Sequence, residues 1–340
     1  MKKSVRYGVF GLLAFAAIWA VIARWHKVHL VPSAQDTSSR AIRIGTNRAL
    51  GTVTPYVTRD KGFFQKNGLQ VDIVDFNDVT TLMEAFASGQ IDVALVGIAP
   101  SAIWQEKGVA LKVVASANGG GHVLLTRTDT GISDLKGLKG KKVATPKPGT
   151  TTDTLFRAQI VENLAGLNPD RDIQIVPSVA ASDMPTSLFV SREVDATISW
   201  EPFASEAETR FKNAKVLFDA SAEWRKANPE SKQLYPVNVV IARQAFIDSR
   251  PDDLRKLLDA HAETIRFINE HPDAANDFIA RETQLDKAVV AAARRRIDFT
   301  AQVDVDASQQ TLNWSKQLGY LKQVPSAAKL FDLRFLPREE

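Results

Sequence analysis

From Ile42 onward, short apolar runs alternate with amphipathic ones. The strand-like runs are AIRIGT (41–46), LQVDIVDF (69–76), IDVALVG (91–97), LKVVASA (111–117), GKKVATP (140–146), IQIVPS (173–178), DATISW (195–200) and AKVLFD (214–219). Between them, 54–64, 80–89, 100–108, 151–167, 183–194 and 201–211 repeat their apolar positions at helical spacing. Gly62 and Gly89 read as helix stops, and Pro100 sits where a first helical turn accepts proline. Strand–helix alternation of this length predicts an α/β fold with mainly parallel sheets. Two stretches, 119–128 and 236–246, read as longer extended runs, and everything beyond reads as helical: 251–270, 272–282, 285–300 and 308–318.

The rhythm occurs twice. SGQIDVALVG (88–97) and SREVDATISW (191–200) occupy equivalent places in two similar units. Two α/β lobes joined by two crossover strands, GHVLLTRT and PVNVVIA, leave a cleft that a hinge can close. The expected organisation is a first lobe at 41–126, a second at 127–237, and a return to the first at 238–340 with a helical C-terminal region.

Charge changes the picture at one end only. The 340-residue chain carries a formal charge of +4, but residues 1–40 hold six basic residues against Asp36 alone, so residues 41–340 sum to −1. A near-neutral globular part argues against a nucleic-acid partner. Lys2, Lys3 and Arg6 precede an uncharged run from Tyr7 to Ala23, the layout of an export signal or a retained anchor at 1–23. Residues 24–40 read as a linker. Either version places the remainder outside the cytoplasm, in the periplasm, released after cleavage or tethered by residues 7–23. The chain has no cysteine, which excludes disulfides, thiolate metal sites and cysteine nucleophiles.

Ligands of open α/β sheets sit beyond the carboxyl ends of strands, where helix N-termini offer free N–H groups. Four loops qualify: GTNRALG (45–51), GIAPSA (97–102), KPGTTTD (147–153) and SWEP (199–202). In the third, Thr150, Thr151 and Thr152 supply hydroxyls; one of them, or Asp153, serves as a helix cap on the plainer reading. In the second, Gly97, Ile98 and Ala99 present backbone and Ser101 a hydroxyl, against a simple tight turn. Asn47 and Arg48 are the polar pair of the first loop, Arg48 suiting an anion or merely facing solvent. Trp200 reads as an apolar wall or as core. Glu201 reads as a cleft carboxylate for an amine-bearing ligand or as a stabiliser of its own helix start. Asn118 and Asn238 flank the two crossovers, as does His122, which reads as structural; His261 and His271 read as surface residues. No catalytic residue, metal site or cofactor is expected. H-E-x-x-H, G-x-S-x-G and a phosphate-binding G-x-x-x-x-G-K-[ST] pattern are all absent.

YVTRDKGFFQKNGLQVDIVDF (56–76), LMEAFASGQIDVALVGIAPSAIW (82–104), DLKGLKGKKVATPKPGTTTDTLF (134–156) and VDATISWEPF (194–203) together resemble the periplasmic substrate-binding proteins of ABC importers. The branch is the one serving sulfonates, taurine, nitrate and related compounds, whose fold the thiamine-pyrimidine-binding proteins share. The resemblance spans roughly 42–320. It implies a type II periplasmic-binding fold, capture of a small anionic or polar ligand in the cleft, no enzymatic activity, and a monomer that delivers to ABC permease and ATPase subunits in the inner membrane. A related fungal enzymatic branch carries a cysteine cluster, which this chain lacks. A ligand-sensing ectodomain acting through a partner, or an enzyme on the same fold, are the competing readings.

Overall fold

The computed structural model describes residues 40–47, 49–178 and 183–337. The expected signal or anchor, the linker up to residue 39, and Arg48 lie outside the described residues. The compact unit from Ala41 onward contains two sheets. The first holds β1 (Ile42–Thr46), β2 (Val71–Asp75), β3 (Val93–Gly97), β4 (Leu111–Gly120), β10 (Pro236–Arg243) and β11 (Ile297–Phe299), in the order β11-β4-β10-β3-β1-β2. The second holds β5 (His122–Arg127), β6 (Lys142–Pro146), β7 (Gln174–Ser178), β8 (Ala196–Trp200) and β9 (Ala214–Asp219), in the order β7-β6-β8-β5-β9. The two α/β lobes expected from the alternating pattern are present.

Each sheet buries both faces, which is why its strands read as near-continuous apolar runs. Val93 and Leu95 of β3 enter one core cluster, Ala94 and Val96 the cluster on the opposite face. In the second sheet, Val143 and Leu124 face one cluster while Ala144, Val123 and Leu125 face the other. The C-terminal helices Pro251–Glu270 and Pro272–Thr283 close over the first lobe through Ile265, Ile268, Ala275 and Ile279.

Four strand pairs are parallel, β1 with β2 and β3 and β6 with β7 and β8, but the five that involve β10, β11 and β5 are antiparallel, so the sheets are mixed and not mainly parallel as the alternation predicts. In each sheet one strand that arrives from the other lobe runs the opposite way. β10 is antiparallel to β3, starting with Asn238 opposite Gly97. β5 is antiparallel to β8, starting with His122 opposite Trp200. A chain crossing from the other lobe enters at the carboxyl edge of the sheet, because that edge faces the other lobe. The first residues of β5 and β10 are thereby delivered to the cleft.

Several elements differ from the sequence expectation. GHVLLTRT does not bridge the sheets; β5 lies wholly in the second, and the chain passes between lobes at Gly120–Gly121. The extended run expected over 236–246 ends at Arg243, where a helix Gln244–Ser249 begins. The helix expected over 285–300 stops at Ala293, and Ile297–Phe299 pair with Gly120, Gly119 and Asn118 of β4. The β-branched Ile297 and aromatic Phe299 favour that edge position over a further helical turn. Helix Ala220–Ala227, capped by Asp219 through the Ser221 and Ala222 N–H groups, lies in a stretch without an expected element. Among the described residues, no helix is long and apolar enough to cross a membrane.

The crossover at Gly120 tolerates no side chain. Its φ is +73°, and a Cβ there would meet Leu234 Cδ1 at 2.4 Å and the Arg296 carbonyl oxygen at 2.6 Å. Gly120→Ala is expected to cost about 2–4 kcal/mol in equilibrium denaturation, from the left-handed backbone and the forced overlap together. A loss under about 0.5 kcal/mol would show that the crossover adjusts freely.

Candidate functional site

The loops after β1, β3, β6 and β8 converge on the start of β5 and β10 and the end of β4. They enclose an inner cavity of about 110 Å³ between the lobes. It opens toward an outer groove of about 800 Å³ that shares Asn47, Pro100, Thr150 and Trp200 with it.

Of the residues singled out in the sequence, Asn47, Gly97, Asn118 and Asn238 line the inner cavity from the first lobe, and Thr150, Thr151, Thr152, Trp200 and Glu201 from the second. Ile98, Ala99 and Ser101 lie behind the wall. Ile98 packs into the core, and Ser101 donates its hydroxyl to Gly97 O at 2.9 Å, one turn back in its own helix. Gly51, Thr52, Gly120, Gly121 and Ile297 also line the cavity; Gly51 ends the GTNRALG loop, and no motif marks Thr52 or Ile297.

The first-lobe wall is a set of amides and hydroxyls that orient one another. Asn238 Nδ2 donates to Asn118 Oδ1 at 2.8 Å. Thr52 donates to Asn47 Oδ1 at 2.5 Å, and Thr46 to Thr52 O at 3.0 Å. Gly51 permits the close approach, since a Cβ would lie 2.6 Å from Asn118 Oδ1.

Helix Ile98–Glu106 starts at Gly97 with no side-chain cap of its own. Its partner comes from across the cleft: Ala99 N–H donates to Thr151 Oγ1 at 3.3 Å. A Cβ on Gly97 would lie 2.4 Å from that same oxygen. Thr150 caps the facing helix by accepting from Asp153 N at 3.2 Å and donates to Lys147 O at 3.0 Å. Of the three threonines, Thr150 is the cap, Thr151 spans the lobes, and Thr152 faces His122.

His122 is 1% exposed. Its Nε2 is 2.8 Å from Thr152 Oγ1 and its Nδ1 is 3.0 Å from the Tyr235 hydroxyl. Burial pushes the imidazole from its ordinary 6.5 down to about 3, so it is neutral at physiological pH. His261, expected on the surface, is 7% exposed and hydrogen-bonds Ser116 O through Nε2 at 2.8 Å. Burial lowers its pKa too, against the pull of that carbonyl.

Glu201 does face the cavity, but its carboxylate is committed. Oε1 takes Arg296 Nη1 at 2.9 Å and the Ser205 hydroxyl at 3.0 Å, and Oε2 takes Ser205 N at 3.0 Å. Arg296 also binds Glu208 and Asp219, each at 2.6 Å. Burial disfavours the guanidinium charge, but these three carboxylates outweigh it and hold the pKa of Arg296 above its ordinary value. On the other side of the cleft, the fully buried Asp153 takes the Tyr320 hydroxyl at 2.6 Å and Arg157 Nε at 2.8 Å. Burial raises its pKa, against the lowering effect of those two donors. The outer groove is mostly apolar and aromatic: Phe76, Ile103, Trp104, Trp200 and Phe203, with Asp78, Lys107 and Lys147 among its walls.

Two α/β lobes with a polar cavity between them, reached by two reversed strands, make this a two-lobed solute-binding protein of the periplasmic-binding type. The chain belongs to the NMT1-like family, whose model matches residues 35–281. A Bacillus subtilis protein named as aliphatic sulfonates-binding is 31% identical over 257 residues, covering 74% of this chain and 72% of the relative. The taurine-binding periplasmic protein of Escherichia coli is 25% identical over 220 residues, covering 63% of this chain and 62% of the relative. The crystal structure of the E. coli periplasmic aliphatic sulphonate binding protein SsuA superposes with a TM-score of 0.71 at 20% identity, covering 88% of this chain and 94% of that one. At that identity the superposition speaks for the fold.

Two buried rings whose pKa is lowered in the folded state set a pH dependence. The unfolded chain takes up protons on His122 and His261 below about pH 6.5, and the folded protein takes them up only at lower pH, so stability is full above that pH and falls as the pH drops. Each ring contributes at most about 1.4 kcal/mol per pH unit. Denaturant titrations from about pH 7 to about pH 4.5 are expected to show this loss, and His122→Gln to reduce its slope. An unchanged slope in the variant would mean that His122 protonates in place.

Proposed function

We propose that this chain is an extracytoplasmic receptor for a small organic anion of the sulfonate class, which it holds between its lobes and hands to an ABC permease and ATPase. One observation carries the reading: the inner cavity is walled by neutral hydrogen-bonding groups, and the one carboxylate among its described walls, Glu201, is neutralised by Arg296. A buried anion needs donors that are already oriented, and amides, hydroxyls and a helix N-terminus supply them without a counter-ion. With Glu201 committed, the cavity makes no demand for an amine on the ligand. The outer groove, with Trp200, Phe203, Trp104 and Ile103, suits an alkyl or aryl tail joined to the anionic head.

Membership in the NMT1-like family and the relatives named for aliphatic sulfonates and taurine support the same class of ligand. Export through residues 1–23, action as a monomer and binding without turnover complete the proposal. Its site is the set of inner-cavity walls described above, with the Gly97–Ala99 backbone at the helix start.

Thermal denaturation with ethanesulfonate, hexanesulfonate or taurine tests it. A ligand at about one hundred times its Kd adds about 2.7 kcal/mol, a rise in melting temperature of about 5 °C or more. Affinity is expected to grow with chain length by up to about 0.8 kcal/mol per methylene, and Trp200→Ala to flatten that dependence. The bound compound is expected back unchanged. If no sulfonate moves the melting curve, the ligand class is wrong; if a sulfonate is converted, the receptor reading is wrong.

A further inference from the structure

We propose that Tyr235, His122 and Thr152 form a directed hydrogen-bond chain that leaves the Thr152 hydroxyl a donor into the cavity, so that the ligand atom seated there is an acceptor oxygen. The inference rests on the cleft being the ligand site, and it adds which way one of its hydroxyls points.

The phenol of Tyr235 sits at the root of the chain. Its oxygen accepts from the backbone N–H of His122 at 3.4 Å and lies 3.0 Å from His122 Nδ1. The nearby Ser221 hydroxyl is engaged elsewhere: it accepts from Gly121 N at 2.9 Å and donates to Arg296 O at 2.7 Å. Among the described residues the phenol's hydrogen-bond partners are the His122 backbone N–H and Nδ1, so its proton goes to Nδ1 and a lone pair to the backbone. Burial holds that proton firmly, raising the pKa of Tyr235.

With Nδ1 an acceptor, a neutral imidazole carries its single proton on Nε2. Nε2–H then donates to Thr152 Oγ1 at 2.8 Å. The hydroxyl of Thr152 cannot return its proton to the ring, and among the described residues it makes no other hydrogen bond. Its remaining direction is the cavity it lines. The reverse tautomer would turn Thr152 into an acceptor and favour an ammonium or hydroxyl donor on the ligand. His122 is thus a positioning residue: it sets the sense of a hydroxyl one bond away.

The sign is readable without any ligand. Ring-nitrogen NMR of the full chain labelled with ¹⁵N-histidine, with His122→Gln to assign the signals, is expected to show His122 protonated at Nε2 and bare at Nδ1. That state should persist from about pH 8 to about pH 5. A proton on Nδ1, or a doubly protonated ring in that range, overturns the inference.

Binding of ethanesulfonate supplies the second arm. Thr152→Ser, which keeps the hydroxyl, is expected within about threefold of the natural protein, and Thr152→Val is expected to weaken binding about tenfold or more. Equal affinity of the valine variant overturns the donor role. If the natural protein binds no sulfonate while Nε2 carries the proton, the ligand class fails and the polarity of Thr152 stands.

Discussion

Glu201 is a carboxylate removed from water at the meeting of the two lobes, and the rest of the molecule is arranged around making that tolerable. An isolated buried charge costs several kcal/mol, and a partner recovers it only with good geometry and further hydrogen bonds. Arg296 provides the partner from the first lobe, Ser205 the further hydrogen bonds, and Glu208 and Asp219 satisfy the rest of the guanidinium. The cluster stands beside the crossover, where Gly120 and Gly121 pass between the sheets and Ser221 ties Gly121 N to Arg296 O. Withdrawing Arg296 would strand Glu201, so the lobes are pinned on this side. Away from it, among the described residues, the lobes are joined by hydrogen bonds of Tyr320 to Asp153, Ala99 to Thr151, and Gln317 to Glu162.

The same pinning decides the chemistry of the cavity. With Glu201 paired to Arg296, the polar groups left on the cavity wall are dipoles: the Asn118–Asn238 pair, the threonines, and the first turn of the helix after β3. Such groups suit an anion that must be released again, because they hold it without a full opposite charge in a low-dielectric site. Thr151 supplies the N-terminus of that helix with an acceptor from the opposite lobe. Under the sulfonate proposal, a ligand oxygen at that helix start would replace a neutral acceptor with a charged one, which the helix dipole favours.

Much of this architecture was legible in the sequence. The alternation of strand and helix periods located most of the strands, and the loops after β1, β3, β6 and β8 were identifiable because each stands between an apolar run and a helix start. What the periodicity could not convey was pairing. β11 reads as the tail of a helix because three arginines precede it, and only the exposed edge of β4 makes Ile297–Phe299 a strand. Arg296 looks like one cation in a solvated triplet, since nothing local reveals three carboxylates from the other lobe. Glu201 was recognisable as a residue at the cleft or as a stabiliser of its own helix start, where it takes the Ser205 N–H, but not as the partner of Arg296. Long-range partners of this kind leave no mark on local spacing.

His122 shows the same limit from another direction. A lone histidine beside three glycines is more often structural than functional, and its ring does pack against Tyr235. Its position follows from topology: β5 must enter the second sheet from the cleft edge, so its first residue faces the cavity, as Asn238 does at the head of β10. Each lobe thus contributes a polar side chain by the same route, at the point where the chain crosses over from its neighbour. Residues at those two strand starts touch both the crossover and the cavity. A substitution at His122 or Asn238 therefore alters the joint between the lobes as well as the wall of the cavity.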